Sequence, residues 1–226
     1  SLSDIHEADF GEGNKNLLDK VEKAEPDIIA VTGDLIDEPG HEAYVRNLME
    51  SLLNIAPVYY VTGNHEWASG AIQELFAVLE ETGVTVLRND YVKLERGGET
   101  IVLAGVDDPN GPYDMKTPAE LMEEIRAQEG EEAFVVLLAH RNDKIDLYSQ
   151  LQIPLVLCGH GHGGVVRLPF TDGLINTNRE WFPTYTSGVY TENGTDMLVS
   201  RGLGNNTGMF RFLNNPHIPV AVLKAA

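Results

Sequence analysis

The chain has 226 residues, of which 42% are hydrophobic, and carries a formal net charge of −19 at pH 7. This length predicts a single domain spanning residues 1–226. The hydrophobic fraction is large enough to form a core. The acidic charge repels nucleic-acid backbones and anionic membranes at long range, which counts against a broad nucleic-acid surface. An anionic substrate is not excluded, because bound cations dominate the local field of a site.

The only cysteine, Cys158, excludes an intrachain disulfide, and we interpret it as a small core residue. No apolar run approaches the roughly 18–20 residues that span a bilayer, and no signal peptide is visible. The opening SLSDIH is typical of the end of a strand. We expect a soluble domain. Its compartment stays open between the bacterial cytoplasm and a membrane-associated or exported location reached through a segment preceding Ser1.

The first two-thirds of the chain alternates between strand and helix patterns. Apolar residues at helical spacing predict helices in the segments 14–27, 44–53, 71–83 and 118–128. Short apolar, β-branched runs predict strands in the segments 27–34, 57–64, 84–90, 91–108, 133–143 and 154–160. The segment 91–108 contains a hairpin at Gly97-Gly98. This alternation is typical of an α/β fold.

The last third of the chain is rich in strand patterns. Strands are predicted at 165–170, 184–190, 196–203 and 217–224 without helices between them. Asn193-Gly194 is a type I′ hairpin signal. The whole pattern predicts an α/β domain of two sheets rather than one doubly wound sheet.

Polar clusters follow the buried strands, each at the carboxyl end of an apolar run. The clusters contain Asp4, His6, Asp34, Asn64, His65, Glu66, His140, His160 and His162. Sites in α/β sheets are built at that edge, so we expect these side chains to converge.

The residue types in these clusters favour a metal site. Asp, His and Asn supply oxygen and nitrogen ligands, and the i, i+2 spacing of His160 and His162 places both side chains on one side of an extended chain. A single histidine at a strand end is more often an ordinary hydrogen-bonded residue. Five of the seven histidines follow this pattern, however, and only His41 and His217 lie outside it. The set suits two ions that share a bridging carboxylate, roughly 3.5–4 Å apart.

Five ordered blocks, SDIH, TGDLID, TGNHE, LLAH and CGHGHGG, resemble those of the calcineurin-like metallophosphoesterases. The segment 182–206 resembles the bacterial branch of YkuE- and YaeI-like phosphodiesterases. The resemblance implies a four-layer αββα sandwich, with two central mixed β-sheets flanked by helices.

The resemblance also implies a role for each matching residue and two divalent metal ions, with Mn, Fe and Zn favoured and Co or Ni open. A hydroxide held between the ions would attack phosphorus. His65 would face the substrate and protonate the leaving oxygen, and Asn64 would also contact substrate. The implied ligands are Asp4, His6 and His162 for one ion, Asn64, His140 and His160 for the other, and Asp34 for both.

Several residues keep two interpretations at this stage. Arg167 and Arg201 are candidates for phosphate contact, although surface or structural pairing is commoner for each. Glu66 is either an orienting acid or a helix-start acid. Asp107-Asp108 is a turn or a support for the site. The aromatics Trp181, Phe182 and Tyr185 line a groove or pack against the core, and we expect packing.

The preferred reaction is hydrolysis of a phosphodiester, with a small-molecule or lipid-headgroup phosphoester as substrate and no obligatory nucleic acid. Relatives often carry Gln where this chain has Val165, so the substrate class is less defined than the chemistry. Alternatives are a phosphomonoesterase or pyrophosphatase acting on nucleotide- or lipid-linked substrates, and a nuclease of the same fold. A non-enzymatic scaffold would lack ligands that are present here. The oligomeric state stays open.

Overall fold

The computed structural model describes residues 1–177, 179–205 and 210–225, and its strands form two sheets. The first sheet has the order β1-β2-β3 with parallel pairing, and Leu2 forms a parallel bridge to Val31 on its outer side. Its strands are β1 (Ile29–Thr32), β2 (Val58–Val61) and β3 (Thr85–Val86).

The second sheet has the order β4-β5-β6-β7-β9-β8. Its inner pairs are parallel, whereas both edge strands pair antiparallel to their neighbours. Its strands are β4 (Asp90–Arg96), β5 (Glu99–Gly105), β6 (Val135–Leu138), β7 (Leu155–Cys158), β8 (Gly188–Glu192) and β9 (Thr195–Val199).

Helices cover the outer face of each sheet. Helices α1 (Lys15–Lys23), α2 (Glu42–Leu53) and α4 (Ile72–Thr82) share one apolar core with the first sheet. Helices α5 (Pro118–Glu129) and α6 (Ile145–Gln150) share another with the second sheet. The short helix α3 (Asn64–Ser69) follows β2 directly. No helix among the described residues is long and apolar enough to cross a bilayer.

The sheets pack face to face, and the strand sequences show why. On β6, Val135 and Leu137 pack toward the helices, whereas Val136 and Leu138 join a third core with Ala30 of β1. Successive strand residues point to opposite faces, so a strand buried on both faces needs a continuous apolar run. The predicted layer order of helix, sheet, sheet and helix is confirmed, and mixed pairing is found in the second sheet.

Two strands predicted in the last third are wrong. Segment 165–170 forms only isolated bridges, such as Val166 with Phe212, and 217–224 forms no strand among the described residues. Pro169 and Pro219 interrupt these segments, and proline cannot donate to a strand ladder. The hairpins at Gly97-Gly98 and Asn193-Gly194 are both present.

Candidate metal centre

The predicted ligand side chains meet at the carboxyl edges of both sheets. One group comprises Asp4, His6, Asp34 and His162, and another comprises Asp34, His140 and His160. Within each group, one candidate ligand atom per residue lies within 4.8 Å of the others. Asp34 belongs to both groups, so its carboxylate lies between them.

The backbone turns sharply at most of these residues. Five of the seven predicted ligands have a positive φ, between 45° and 67°, and these are Asp4, His6, Asp34, His160 and His162. Non-glycine residues seldom adopt this conformation, and each such residue costs on the order of 1–3 kcal/mol. The fold maintains this strain where the chain leaves a strand, which directs the side chains inward.

Two glycines allow the turns to approach one another. A Cβ on Gly33, whose φ is 85°, would lie 2.6 Å from the Cα of Gly63 and 2.7 Å from Nδ1 of His140. A Cβ on Gly63 would overlap the Asp34 carboxylate. The turns after β1 and β2 therefore need glycine to bring Asp34 into the site.

The first group is formed mainly by imidazole nitrogens and carboxylates. Nε2 of His6 lies 3.1 Å from Nε2 of His162, which lies 3.4 Å from Oδ1 of Asp4. Oδ2 of Asp34 is 3.9 Å from Nε2 of His6. Asp4 also accepts hydrogen bonds from the backbone N–H of His160, which joins the end of β7 to the start of the chain.

The second group is oriented by a backbone contact. Nδ1 of His140 donates to the carbonyl of Thr32 at 2.9 Å, which directs Nε2 toward the cluster. That Nε2 lies 3.2 Å from Oδ2 of Asp34 and 3.1 Å from Nδ1 of His160. A metal ion bound here would face Nε2 of His140 and Nδ1 of His160.

Asn64 supplies a direct test of whether these residues fit a metal. Its Oδ1 atom is buried and has no hydrogen-bond partner among the described residues. Buried polar oxygens are almost always paired, and an orphaned one costs free energy. Asn64 stands between Gly63 and His65, which both adjoin the Asp34 carboxylate. An amide oxygen combined with carboxylates and imidazoles is a donor set for divalent first-row metals. The residues therefore fit the implied ions.

The charges of the cluster are coupled. Burial opposes ionisation of Asp34, but the neighbouring His140 and His6 outweigh it and hold the pKa of Asp34 far below its usual range. Burial opposes the charged His140 ring, but Asp34 raises the pKa of His140 to about 10. Burial lowers the pKa of His160 to about 3 and that of His162 to about 4. Two neutral imidazoles and an ionised carboxylate are thus present at neutral pH.

The sequence profile of calcineurin-like phosphoesterases matches residues 2–164, which include every residue of the cluster. The chain belongs to the calcineurin-like phosphoesterase family. It is therefore a metal-dependent phosphoester hydrolase. The predicted family is confirmed.

Relatives of this phosphoesterase occur in bacteria and animals. The metallophosphoesterase YkuE of Bacillus subtilis is 31% identical over 233 residues, covering 99% of this chain and 78% of YkuE. A zebrafish transmembrane protein with a metallophosphoesterase domain is 31% identical over the whole chain, which spans 52% of that protein.

Two solved structures share the fold. TT1561 of Thermus thermophilus has a TM-score of 0.57 at 15% identity, covering 89% of this chain and 87% of its own. The phosphopantetheinyl hydrolase of Mycobacterium tuberculosis has a TM-score of 0.51 at 14% identity, covering 88% of this chain and 86% of its own.

The sequence reasoning missed Asp37 of the phosphoesterase, which connects two site histidines. Oδ1 of Asp37 lies 2.5 Å from Nδ1 of His6 and 2.8 Å from Nδ1 of His65. A carboxylate on the second nitrogen of a ligand histidine fixes its tautomer and orientation. The available signal was the position of Asp37 in the TGDLID block, three residues after Asp34.

Glu66 joins two of the site's loops. Its carboxylate accepts hydrogen bonds from the backbone N–H groups of Gly63 at 2.7 Å, Asp34 at 3.1 Å and Leu35. It occupies the third position of α3, so the helix-start interpretation is favoured. The same side chain also fastens the turn after β1 to the turn after β2.

The two remaining acidic candidates, Asp107 and Asp108, each pair with an arginine. Asp107 accepts from Oγ1 of Thr62 at 2.9 Å and from Nε of Arg88 at 3.2 Å. Asp108 closes a turn by accepting from the N–H of Asn110 at 2.9 Å, and it also holds Arg141. Asp108 therefore both closes a turn and supports a neighbouring arginine, so neither of the two interpretations of Asp107-Asp108 is sufficient alone.

The guanidinium of Arg167 is bound within the protein. Nη1 donates to the carbonyl of Gly163 at 2.8 Å, and Nη2 lies 3.4 Å from Asp172. Its predicted role in binding substrate stays a prediction. The side chain of Arg201 also lies near Gly163, and burial lowers the pKa of its guanidinium.

The expected packing of the aromatic loop is wrong for two of its residues. Trp181 is 69% exposed and Phe182 is 74% exposed, and this loop forms only isolated bridges among the described residues. Tyr185 does pack, with its ring 5.1 Å from that of Tyr190. Cys158 is 1% exposed and lies in the core, as predicted.

Proposed function

We propose that this phosphoester hydrolase is a phosphodiesterase that binds two divalent ions. The observation that carries the proposal is the position of Asp34, whose carboxylate belongs to both ligand groups. The preference for diesters rests on the resemblance of segment 182–206 to the phosphodiesterase branch. A small-molecule or lipid-headgroup diester is the proposed substrate.

The ligand sets follow the two groups. We assign the orphaned amide oxygen of Asn64 to the second set, because a metal ion would give it a partner. The proposed ligands are Asp4, His6 and His162 for one ion, Asn64, His140 and His160 for the other, and Asp34 for both. Mn, Fe and Zn are the proposed metals, with Co and Ni as alternatives that suit the same donors.

Two bound ions would supply a water of lowered pKa and would neutralise charge on the phosphoryl oxygens. The protein supplies a proton. The side chain of His65 is 24% exposed at the edge of the cluster, and burial opposes its charge, but Asp37 and Asp34 raise its pKa. A charged imidazole at that edge can protonate the leaving oxygen of the substrate. His65 is thus the proposed general acid.

Metal content and turnover test the proposal together. Wild type and Asp34→Asn would be loaded with Mn, and the metal per chain would be measured beside turnover of bis-p-nitrophenyl phosphate and p-nitrophenyl phosphate. We expect about two ions per wild-type chain, with metal and diester turnover both lost in the variant. Retention of two ions by Asp34→Asn would contradict the bridging role. Faster monoester than diester turnover would instead favour a phosphomonoesterase.

The general acid can be tested separately. His65→Ala should lower turnover of a diester with a poor leaving group by about 10²–10⁴-fold, because general-acid catalysis contributes that much. Turnover of a p-nitrophenyl ester should fall less, because its leaving group needs less protonation. His41→Ala, a histidine outside the cluster, is the matched control. Equal losses on both substrates would contradict the role of His65.

A further inference from the structure

Arg141 follows the ligand candidate His140 and is fixed by a buried carboxylate. Its Nε donates to Oδ2 of Asp108 at 2.6 Å, and its Nη2 donates to Oδ1 at 3.0 Å. Asp108 is 1% exposed. Such a two-point pair holds the planar guanidinium in one orientation. The third nitrogen, Nη1, lies outside the pair, and the Arg141 side chain keeps 20% of its surface exposed.

Nη1 of Arg141 faces a ring of the cluster. It lies 3.0 Å from Nε2 of His160. A guanidinium nitrogen can only donate, so this hydrogen bond requires a bare Nε2. The contact therefore fixes the hydrogen of a neutral His160 ring on Nδ1.

That tautomer is incompatible with metal binding by His160. Its Nδ1 is the atom directed at the cluster, 3.1 Å from Nε2 of His140. A neutral ring that gives a bare Nδ1 to an ion carries its hydrogen on Nε2. Two donors would then face each other across the Arg141–His160 contact. A metal-binding histidine normally passes its second N–H to an acceptor.

We propose that Arg141 binds substrate, with Nη1 donating to a nonbridging oxygen of the phosphoester once His160 holds an ion. This inference rests on the proposed function. Asp108 keeps the guanidinium beside the cluster, while Nη1 has lost its acceptor. An anionic phosphoryl oxygen supplies one, through a charge-assisted hydrogen bond. Such a local cation also offsets the net charge of −19, which otherwise repels the substrate.

Two other arginines close to the cluster, Arg167 and Arg211, donate to backbone carbonyls instead. Nη1 of Arg167 donates to the carbonyl of Gly163 at 2.8 Å. Nη1 of Arg211 donates to the carbonyl of Gly202 at 3.2 Å, and its Nη2 donates to the carbonyl of Arg201. Metal binding by His160 would leave these backbone contacts intact. Arg141 differs because its outer nitrogen depends on a ligand ring.

The test compares phosphate binding with metal content. Removing Arg141 alone would leave the Asp108 carboxylate buried without its partner, which destabilises the fold. The double variant Arg141→Gln with Asp108→Asn removes both charges, and Arg46→Gln is the surface control. Inorganic phosphate would be titrated calorimetrically into each Mn-loaded protein. Mn per chain and the KM and kcat for bis-p-nitrophenyl phosphate would be measured on the same samples.

We expect the double variant to keep about two Mn ions, to bind phosphate at least about tenfold more weakly and to show a raised KM. Arg141→Lys should also weaken phosphate binding, because lysine cannot maintain the two-point pair with Asp108. Unchanged phosphate affinity and KM in the double variant would overturn the inference. Loss of Mn with unchanged phosphate affinity of the loaded fraction would also overturn it, leaving Arg141 a structural support of His160. A wild type without two ions would instead refute the proposed function, and this inference with it.

Discussion

Asp37 places one carboxylate oxygen 2.8 Å from Nδ1 of His65 and 2.5 Å from Nδ1 of His6. One side chain thus orients a proposed metal ligand and the proposed general acid. Asp37→Asn should lower kcat by about 10–100-fold, the usual cost of losing a partner of a ligand histidine. Turnover of bis-p-nitrophenyl phosphate and Mn content measure the effect. Wild-type kcat in the variant would show that neither ring needs the carboxylate.

Glu66 should contribute strongly to stability, because its carboxylate accepts three backbone N–H groups while fully buried. Gln in its place offers one acceptor oxygen and directs an NH₂ group at donors. Glu66→Gln should therefore cost about 2–4 kcal/mol in the free energy of unfolding. Urea denaturation measures this against Glu74→Gln, an exposed control. Equal stabilities of the two variants would be evidence against the role of Glu66 in joining the loops.

Gly63 should be essential for metal binding, because an added Cβ would overlap the Asp34 carboxylate. We expect Gly63→Ala to lose most of its bound Mn and its turnover. Gly98→Ala is the control, since Gly98 lies in a distant hairpin with a φ of 89° and open space around it. That control should lose about 1 kcal/mol of stability and keep its metal. A Gly63→Ala protein with two bound ions would contradict the steric argument.

His140 should make the metal-free protein sensitive to alkaline pH. Its pKa of about 10 in the folded protein lies above the ordinary value of 6.5. The charged ring therefore stabilises the fold fully below about pH 6.5, and this contribution is lost as the pH rises through about 10. Urea denaturation at pH 7 and pH 10 in a chelator measures the loss. The Mn-loaded protein should lose less free energy of unfolding between pH 7 and pH 10, because a metal-bound ring carries no titrating proton. Equal losses in both forms would contradict this prediction.

Cys158 should be inert in the folded protein. It is buried, and burial raises the pKa of its thiol well above the usual range. The thiolate is the reactive form, so a disulfide reagent at pH 8 should modify the native protein at a rate limited by unfolding. In denaturant, one thiol per chain should react at once. Rapid modification of native protein would place Cys158 at an accessible surface.

The continuous apolar runs predicted the inner strands β1, β2, β6 and β7, because a strand buried on both faces has no polar side. The same runs located the polar residues at their carboxyl ends, and family resemblance supplied candidate roles for them. The prediction was poorer in the last third. Pro169 and Pro219 lie in apolar segments that look like strands, but proline cannot complete a ladder. Exposure of Trp181 and Phe182 was also missed, since local sequence does not show whether a layer covers a loop.

Residue patterns by themselves indicated an α/β domain with two sheets and the kinds of donor atom at the site, because hydrophobic periodicity and ligand chemistry are properties of local sequence. The family resemblance added the layer order. Tertiary structure decided which atoms face one another. The sequence does not show the partners of Asp37 and Asp108, because each acquires its partner only when turns that are distant in sequence meet. Asp108 meets Arg141, and Arg141 meets His160, across 33 and 19 residues of sequence respectively. These last contacts depend on the strand order of the second sheet, in which β5, β6 and β7 lie side by side, and no local pattern encodes that order.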